Sequence, residues 1–424
     1  MLKLYWIAVL AALPLPAFAY LDPASGNALV YLAVSLFGAA AYFVKSAFYR
    51  TVAFFKGEKY VRTEDLADIV IFSEGKSYWL SYKPIIEALI EKKIHFRYLT
   101  MEVTDPALMI DNEFMHSKYV GEGAAGFARV ARTKAPVMLT TTPNIGCPGF
   151  PLPRPAGVKQ LVHFWHSVCD TGFYQLGALD HYDTALTVGS WVESSIREIE
   201  KIRRIPVKTV VPVGLPYLDE LAQKITPRDK SDTVKTILIA PSWGEKNCLK
   251  VYGTDFIEEL AEQGYRIIVR PHPQSLKVEK AFALQVQKLL EKYPNCKLDI
   301  SADGSDSMRQ ADLLVSDKSS IRFDFAFLYE RPVVTLDIPL KNLEIYEASL
   351  LGKLWEEDQA EKIGMRLSVS EKNKIAETVK CALTIVPAHI AQIREKTIEN
   401  FGSSGRAIAD WLSQTTLQNL QKNK

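Results

Sequence analysis

Short apolar runs alternate with longer amphipathic stretches from Asp68 to the end of the chain. Short runs of this kind are typical of buried strands, and amphipathic runs of about ten residues are typical of surface helices. In the first part of this region the pattern predicts a helix at 82–92 and strands at 69–72, 95–99, 137–141, 160–165, 184–188 and 209–213. Strands that alternate with helices indicate βαβ units and a parallel sheet.

The same alternation begins again after a polar break. Residues 222–235, which read AQKITPRDKSDTVK, predict an inter-domain linker. Beyond it the pattern predicts strands at 236–240, 266–269, 297–300, 313–316 and 333–336, and helices at 254–263, 276–292 and 319–328. The tail at 372–420 predicts two or more helices with a break at 401–406. We therefore expect two Rossmann-like domains, at 67–221 and 236–424, with a ligand cleft at the carboxyl ends of their strands.

The N-terminus has a different, almost uncharged pattern. Lys3 precedes an apolar run at 4–13, which ends in the small-residue sequence Ala17-Phe18-Ala19. A basic residue, an apolar run and small residues in this order resemble a signal-peptidase site. Residues 1–19 are therefore predicted to be either a signal peptide or a first membrane helix.

A second uncharged run, at 28–44, predicts a transmembrane helix near the lower limit of length. Buried helices of a soluble domain are the alternative, but such helices normally carry a polar face. Lys45, Arg50 and Lys56 follow this run, so the positive-inside rule places the rest of the chain in the cytoplasm. We expect a protein of the inner or cytoplasmic membrane whose large domain faces the cytoplasm.

Overall composition excludes some partners. The 424 residues carry a net charge of only +2, so no basic field favours nucleic acid as a partner. The five cysteines lack the spacing of a zinc site or a disulfide framework, which favours a reducing compartment. We predict no metal and no cofactor, and any anionic ligand must be held by a local site.

Histidines stand at two predicted strand ends. His166 directly follows the strand at 160–165, where a neutral imidazole could take a proton from an attacking hydroxyl. A plain hydrogen-bonding role is the alternative. His163 precedes it by three residues, but positions i and i+3 of a strand face opposite sides, so this pair does not predict a metal site. His163 is expected to lie on the sheet face or in the core.

The second histidine lies in the sequence RPHP. Arg270 and His272 leave their strand between two prolines, which stiffen the turn and prepare it to bind an anion. An ordinary turn that contains a histidine is the alternative. Ser242 and Trp243 follow another predicted strand and indicate a pocket wall, one able to stack a base.

The stretch SDKSSIRFDFAFLYERPVV, at 316–334, offers a third strand end. Ser316 and Asp317 end the strand, and Ser319 and Ser320 stand where a helix starts. Free N–H groups and the positive dipole end of a helix favour an anion there. The alternative is an ordinary serine N-cap with Asp324 on a solvated helix face. The spacing alone leaves both readings open.

Six short motifs together resemble one family. In chain order they are FWHS at 164–167, VGLPYLDEL at 213–221, APSW at 240–243, RPHP at 270–273, SDKSSIRFDFA at 316–326 and GSSGR at 402–406. This series is similar to the CDP-glycerol glycerophosphotransferase family, whose members build or prime wall teichoic acids and related polyol-phosphate polymers. The resemblance covers about 160–410.

The resemblance implies a fold and a reaction. The fold would be GT-B, with two Rossmann-like domains around the active-site cleft, an acceptor side at 67–221 and a CDP-donor side at 236–424. The reaction would move glycerol phosphate from CDP-glycerol to an acceptor hydroxyl and release CMP, with no firmly required metal. The expected acceptor is a lipid-linked or glycan hydroxyl at the membrane.

The resemblance also assigns roles to residues. His166 would be the base on the acceptor hydroxyl, and His272 with Arg270 would stabilise charge on the pyrophosphate. Binding of the phosphates and the polyol would fall to the remaining site residues, which are Ser242, Ser316, Asp317, Ser319, Ser320 and Asp324.

The sequence departs from the family pattern at three places. Ser167 replaces the glycine of the family's WHG motif, and the basic residue usual a few positions later is not obvious in VCDTG at 168–172. Gly244 stands where the family has an arginine, and VGLPYLD lacks a basic residue. These losses of positive charge leave the donor and acceptor open. A GT-B glycosyltransferase that uses a nucleotide sugar is one alternative function, and a catalytically idle nucleotide-binding or scaffold protein is another.

Overall fold

The computed structural model describes residues 68–226, 234–301, 304–338, 343–352 and 354–422. The segments predicted at 1–19 and 28–44 to be a signal peptide or membrane helices lie outside these ranges. Among the described residues, no helix is both long enough and apolar enough to cross a bilayer. The N-terminal membrane segment remains a prediction from the sequence.

The first half of the described chain, 68–226, forms a parallel sheet with connecting helices. Its strands are β1 (Ile69–Ser73), β2 (Phe96–Thr100), β3 (Met115–Tyr119), β4 (Lys134–Thr140), β5 (Gly157–Phe164), β6 (Thr184–Thr187) and β7 (Thr209–Pro212). Its α-helices are α1 (Trp79–Glu91), α2 (Gly123–Val130), α3 (Val192–Arg203) and α4 (Pro216–Gln223). The strands lie in the order β3-β2-β1-β4-β5-β6-β7, so the order reverses between β1 and β4.

The second half, 234–422, contains a second parallel sheet. Its strands are β8 (Thr236–Ala240), β9 (Arg266–Val269), β10 (Cys296–Leu298), β11 (Leu313–Ser316), β12 (Val333–Leu336) and β13 (Gly364–Leu367). Its α-helices are α5 (Cys248–Tyr252), α6 (Asp255–Glu262), α7 (Pro273–Val278), α8 (Lys280–Leu290), α9 (Ser305–Gln310), α10 (Ile321–Tyr329), α11 (Trp355–Lys362), α12 (Ile375–Ala382), α13 (Pro387–Thr397) and α14 (Ser404–Lys422). The strand order is β10-β9-β8-β11-β12-β13, with its reversal between β8 and β11.

The central strands follow from their composition. Every residue of β1 (IVIFS) and of β8 (TILIA) is buried, because a parallel sheet covered by helices on both faces favours continuous apolar runs. These are the runs that predict strands in the sequence. The α/β class with parallel sheets is thus confirmed, whereas the boundary between domains within the predicted linker remains a prediction, since residues 227–233 are not described.

Two strands were not predicted, and one predicted helix is wrong. The pattern gave no strand at β3, whose sequence MHSKY is largely polar because it lies at a sheet edge, nor at β13, a four-residue edge strand. The helix predicted at 276–292 is two helices, because Glu279 leaves helical geometry between α7 and α8. There its carboxylate binds the Nζ atom of Lys250 at 2.5 Å.

The two halves share a hydrophobic core. Leu215 and Leu218, at the start of α4, belong to the same buried cluster as Phe323 and Phe327 of α10. Between these helices, the hydroxyl of Tyr217 hydrogen-bonds to the carboxyl group of Asp324. One oxygen of Asp324, Oδ1, is buried and has no partner among the described residues. Burial raises the pKa of Asp324 from 3.8 to about 7.

The last helix returns to the first half. Ile408 and Leu412 of α14 share a buried cluster with Tyr82 and Ile85 of α1. Asp219 of α4 fixes the entry to this helix, since its two carboxylate oxygens accept hydrogen bonds from the backbone N–H groups of Gly402 and Ser404, each at 2.7 Å. The motifs VGLPYLDEL and GSSGR are therefore held together in space.

We expect Asp219→Ala to lower the free energy of unfolding by about 2–4 kcal/mol, because it leaves two backbone donors without their acceptor. Chemical denaturation of the purified protein measures this change. Asp306→Ala, at an exposed aspartate of α9 that pairs with Arg309, is the matched control and should cost less than about 0.5 kcal/mol. A similar small loss for Asp219→Ala would contradict the role assigned to this carboxylate.

Asp324 should make the protein less stable as the pH rises. The unfolded carboxyl ionises near 3.8 while the folded one keeps its proton until about 7, so the contribution of Asp324 to stability is present below about pH 4 and is lost as the pH rises to about 7. Unfolding curves at several pH values should therefore fall across this window for the wild type and fall less for Asp324→Asn, by up to about 4 kcal/mol. An identical pH dependence in both proteins would refute this account.

Candidate active site

The carboxyl ends of β8 and β11, where the strand order of the second sheet reverses, carry two of the predicted motifs. A reversal of this kind is the usual ligand crevice of a doubly wound sheet. Asp317 is fully buried there, and its carboxylate accepts hydrogen bonds from the backbone N–H groups of Ser242 at 3.1 Å and Cys248 at 2.8 Å. Ser316 Oγ donates to the carbonyl oxygen of Ala240 at 2.6 Å. Both side chains thus hold the loop after β8 in place.

Two further serines face outward. Ser319 is partly exposed and Ser320 is exposed, at the N-terminus of α10. No side chain caps this end, since the Ser320 hydroxyl makes no capping hydrogen bond. An uncapped helix N-terminus flanked by hydroxyl donors suits a phosphate group. This geometry favours the anion-binding reading of the SDKSS sequence.

His272 follows β9, next to this crevice. Its Nδ1 accepts a hydrogen bond from the N–H of Gln274 at 3.1 Å, so the neutral ring carries its proton on Nε2. Partial burial lowers the pKa of His272, although the nearby Asp317 carboxylate opposes this. The side chain is therefore a neutral hydrogen-bond donor, which is the form that suits a phosphate oxygen.

Arg270, at the end of β9, is already engaged by the protein. Its guanidinium group pairs with Asp299 at 2.7 Å and donates to the carbonyl oxygen of Ser301 at 2.9 Å. Although burial raises the pKa of Asp299, hydrogen bonds from Ser301, Ser307 and Arg270 lower it to about 2. In this structure Arg270 braces the loop after β10, and the phosphate contact expected of it stays a prediction.

His166 lies in the first half, directly beyond β5. The edge of the Tyr78 ring packs against its imidazole, with ring centroids 5.1 Å apart at 76°. Burial lowers the pKa of His166 to about 4, so the ring is neutral at physiological pH. His163 is a core residue, as expected, whose Nε2 meets the Tyr174 hydroxyl at 2.9 Å.

The turn at the reversal of the first sheet was not predicted from the sequence. Glu74 and Gly75 follow β1, and the backbone N–H of Lys76 donates to Glu102 at 2.9 Å. Gly75 has a φ of +152°, and a Cβ atom there would lie 2.5 Å from Glu102. Burial and the Glu74 carboxylate together raise the pKa of Tyr78, the neighbour of His166. The sequence FSEGKS, in which a glycine lies between a buried strand and a helix, could have indicated this turn.

The carboxyl edges of both sheets meet at one boundary. Asp170, in the loop after β5, accepts a hydrogen bond from the N–H of Trp355 at 3.0 Å, and its own N–H donates to Glu356. In the same loop, the N–H of Gly177 donates to Glu347 at 2.7 Å. The loop that follows His166 therefore contacts the part of the second half that follows β12.

The predicted site residues thus fall into four places, one of which is that of Arg270 beside Asp299 and Ser301. The crevice of the second sheet collects Ser242, Ser316, Asp317, Ser319, Ser320 and His272. His166 lies across the boundary in the first half, and Asp324 faces α4 rather than the exposed start of α10. Within the described part of the chain, no three His, Cys, Asp or Glu side chains are grouped to hold a metal ion.

Solved structures of other proteins have a fold similar to that of this chain. The wall teichoic acid polymerase TagF matches with a TM-score of 0.54 at 15% identity, over 91% of this chain and 99% of that chain. The UDP-GlcNAc 2-epimerase from Methanocaldococcus jannaschii, in complex with UDP-GlcNAc and UDP, matches with a TM-score of 0.53 at 15% identity, over 82% of this chain and 99% of that chain. The architecture is therefore similar to that of GT-B enzymes.

Comparison of sequences gives a family. No curated protein matches this chain. A family model described as CDP-Glycerol:Poly(glycerophosphate) glycerophosphotransferase matches residues 174–351, a range that contains the APSW, RPHP and SDKSS motifs. Over this range the chain is similar to the CDP-glycerol glycerophosphotransferase family, which confirms the resemblance that its motifs predict.

Proposed function

We propose that this protein transfers glycerol phosphate from CDP-glycerol to an acceptor hydroxyl and releases CMP. The observation that carries the proposal is that three motifs of the matched family region converge at one crevice, where β8, β9 and β11 end. A structure of TagF soaked with CDPG has the same fold, with a TM-score of 0.53. Hydroxyl groups, an uncapped helix N-terminus and a neutral imidazole donor form a suitable site for a pyrophosphate.

The reaction is a displacement at phosphorus. The acceptor oxygen forms a bond to the glycerol-bearing phosphorus, the bond from this phosphorus to the bridging oxygen breaks, and CMP leaves with that oxygen. His166 takes the proton of the acceptor hydroxyl. The Nε2–H of His272 and the start of α10, with Ser319 and Ser320, stabilise the charge of the pyrophosphate, since alignment and electrostatics dominate phosphoryl transfer.

The proposed acceptor and location rest on the sequence pattern of the N-terminus. A membrane helix at 28–44, with the cleft on the cytoplasmic side, would hold the enzyme next to a lipid-linked acceptor while the soluble donor diffuses in. We therefore place the protein at the inner or cytoplasmic membrane. The absence of the family's basic residues in VCDTG, at Gly244 and in VGLPYLD favours a short, lipid-bound acceptor over a long anionic polymer, which would need those charges.

Replacing His166 tests the mechanism. With membrane fractions that contain the full chain, His166→Asn should lower the rate of CMP release from CDP-glycerol about 100-fold or more, because general base catalysis contributes roughly this much. The KM for CDP-glycerol should change little, because His166 acts on the acceptor. His116→Asn, at an exposed histidine of β3, is the matched control and should retain wild-type activity.

The same assay separates the alternative functions. A UDP-sugar that turns over while CDP-glycerol and CDP-ribitol stay at background would indicate a glycosyltransferase and refute the proposal. Activity of His166→Asn equal to that of the wild type would remove His166 from the mechanism. Binding of CDP-glycerol without release of CMP under any acceptor condition would point to a catalytically idle protein.

A further inference from the structure

A buried arginine lies directly behind the proposed phosphate-binding turn. Arg322, in the first turn of α10, is only 3% exposed. Its backbone N–H at 3.3 Å and its side-chain Nε at 3.0 Å both donate to the carbonyl oxygen of Ser319. Its Nη1 donates to Thr335 Oγ1 of β12 at 3.3 Å. The side chain therefore ties the serine turn to the second sheet.

The positive charge of Arg322 has no close counter-charge. In the described part of the chain, no carboxylate lies within ion-pair distance of it, and Asp317, Asp337 and Glu356 act on it only from farther away. Asp317 accepts backbone N–H groups of the loop after β8, and Asp337 pairs with Arg366 at 2.6 Å. Burial raises the pKa of Glu356 to about 8, so this carboxyl group is mostly neutral at neutral pH.

Arg322 nevertheless keeps its charge. Burial lowers the pKa of its guanidinium group to about 10, which is still far above neutral pH. A buried charge without a counter-charge is costly, and an apolar side chain in its place is often no less stable. The two hydrogen bonds of the side chain do not require the charge, since a neutral amide also donates two. A structural role alone therefore does not account for an arginine at this position.

The turn in front of Arg322 presents hydrogen-bond donors. The backbone N–H groups of Ser320 and Ile321 make no hydrogen bond within the ranges that the structure describes, as is usual where a helix begins. The hydroxyl groups of Ser319 and Ser320 lie at the same turn and are at least partly exposed. A phosphate bound here would meet N–H and O–H donors in front and the buried charge of Arg322 behind them.

We propose that Arg322 is a positioning residue of the phosphate site, which fixes the serine turn and supplies the buried positive charge that a bound pyrophosphate neutralises. The inference rests on the proposed function and adds a residue to its site. Arg322 acts through the carbonyl group of Ser319 and through its electric field, which is screened less in the protein interior than in water. Its charge is unfavourable in the empty protein and becomes favourable when the nucleotide binds.

Removal of this charge should weaken binding without weakening the fold. Arg322→Met keeps an unbranched side chain and removes the charge. In the full chain we expect it to raise the Kd for CDP about 10-fold or more, because a charge next to a phosphate interacts strongly where water is partly excluded. The Kd for cytidine, which has no phosphate, should change less than about twofold. Titration calorimetry measures both constants.

Thermal unfolding of the ligand-free protein separates this role from a structural one. The Tm of Arg322→Met should equal or exceed that of the wild type, because the substitution removes a buried charge that has no close partner. Arg322→Lys keeps the charge and loses the planar fork of donors. We expect its Kd for CDP to stay within about threefold of the wild-type value, since the charge rather than the fork is required.

Arg394 offers a matched control at the far end of α10. Its side chain is 16% exposed and pairs with Glu330 at 2.9 Å, and its Nη1 also donates to the carbonyl oxygen of Phe327 at 2.8 Å. Arg394→Met breaks these contacts away from the serine turn. It should lower the Tm and leave the Kd for CDP unchanged, which is the opposite of the pattern expected for Arg322→Met.

The remaining outcomes overturn the proposal. An unchanged Kd for CDP in Arg322→Met would remove the charge from the site, and an equal loss of cytidine affinity would mean that the phosphates are not what it serves. A lower Tm or loss of folding in Arg322→Met, with Arg322→Lys equally weak in CDP binding, would make Arg322 a structural residue. In each case wild-type CMP release from CDP-glycerol keeps the proposed function. A wild type that neither binds CDP nor releases CMP overturns both.

Discussion

The carboxylate of Asp219 fixes how the two halves of this molecule are joined. It accepts the backbone N–H groups that begin α14, and this helix carries the end of the chain back from the second sheet to the outer helices of the first. The first half is therefore stabilised by its own core and by packing against the last helix of the other half. Because both halves also share a core around α4 and α10, the boundary at which their strands end has a fixed geometry.

Buried carboxyl groups in this protein have two kinds of environment. Asp219 and Asp317 are surrounded by backbone N–H donors, so each stabilises the conformation of one segment. Asp324, Asp337 and Glu356 lie nearer the boundary and keep one oxygen without a described partner. The first kind builds the scaffold. The second kind leaves a buried oxygen without a described partner, and this difference is visible only in the hydrogen-bond geometry.

The same division applies to the family motifs. Ser316, Asp317 and Arg270 direct their polar atoms at the protein itself, whereas Ser319, Ser320 and His272 remain open to a ligand. Desolvation lowers the pKa of both candidate histidines, so both rings are neutral at neutral pH. The Nδ1 atom of His272 accepts from the N–H of Gln274, which leaves its Nε2–H as a donor. The Nδ1 atom of His166 is buried and has no partner among the described residues.

Much of the fold was predictable because the central strands are continuous apolar runs, and a run such as TILIA in β8 has few alternatives to a buried strand. The edge strands β3 and β13 were not predictable, since edges need no apolar run. For the site, the positions of the histidines and serines after the strands made them candidates, because parallel strands bring every carboxyl end to one edge. The roles proposed for them came from the family resemblance.

What the sequence determined by itself is therefore the class of fold, the family motifs and the strand ends that carry them. Only the tertiary structure decided which polar atoms are already used. Arg270 faces Asp299, Asp324 faces Tyr217, and Lys318 and Arg322, which sequence reasoning left without a role, line a pocket with Phe173 of the other half. The physical reason is that hydrogen-bond partners far apart in the chain meet only when the two halves pack, so their pairing leaves no local signal in the sequence.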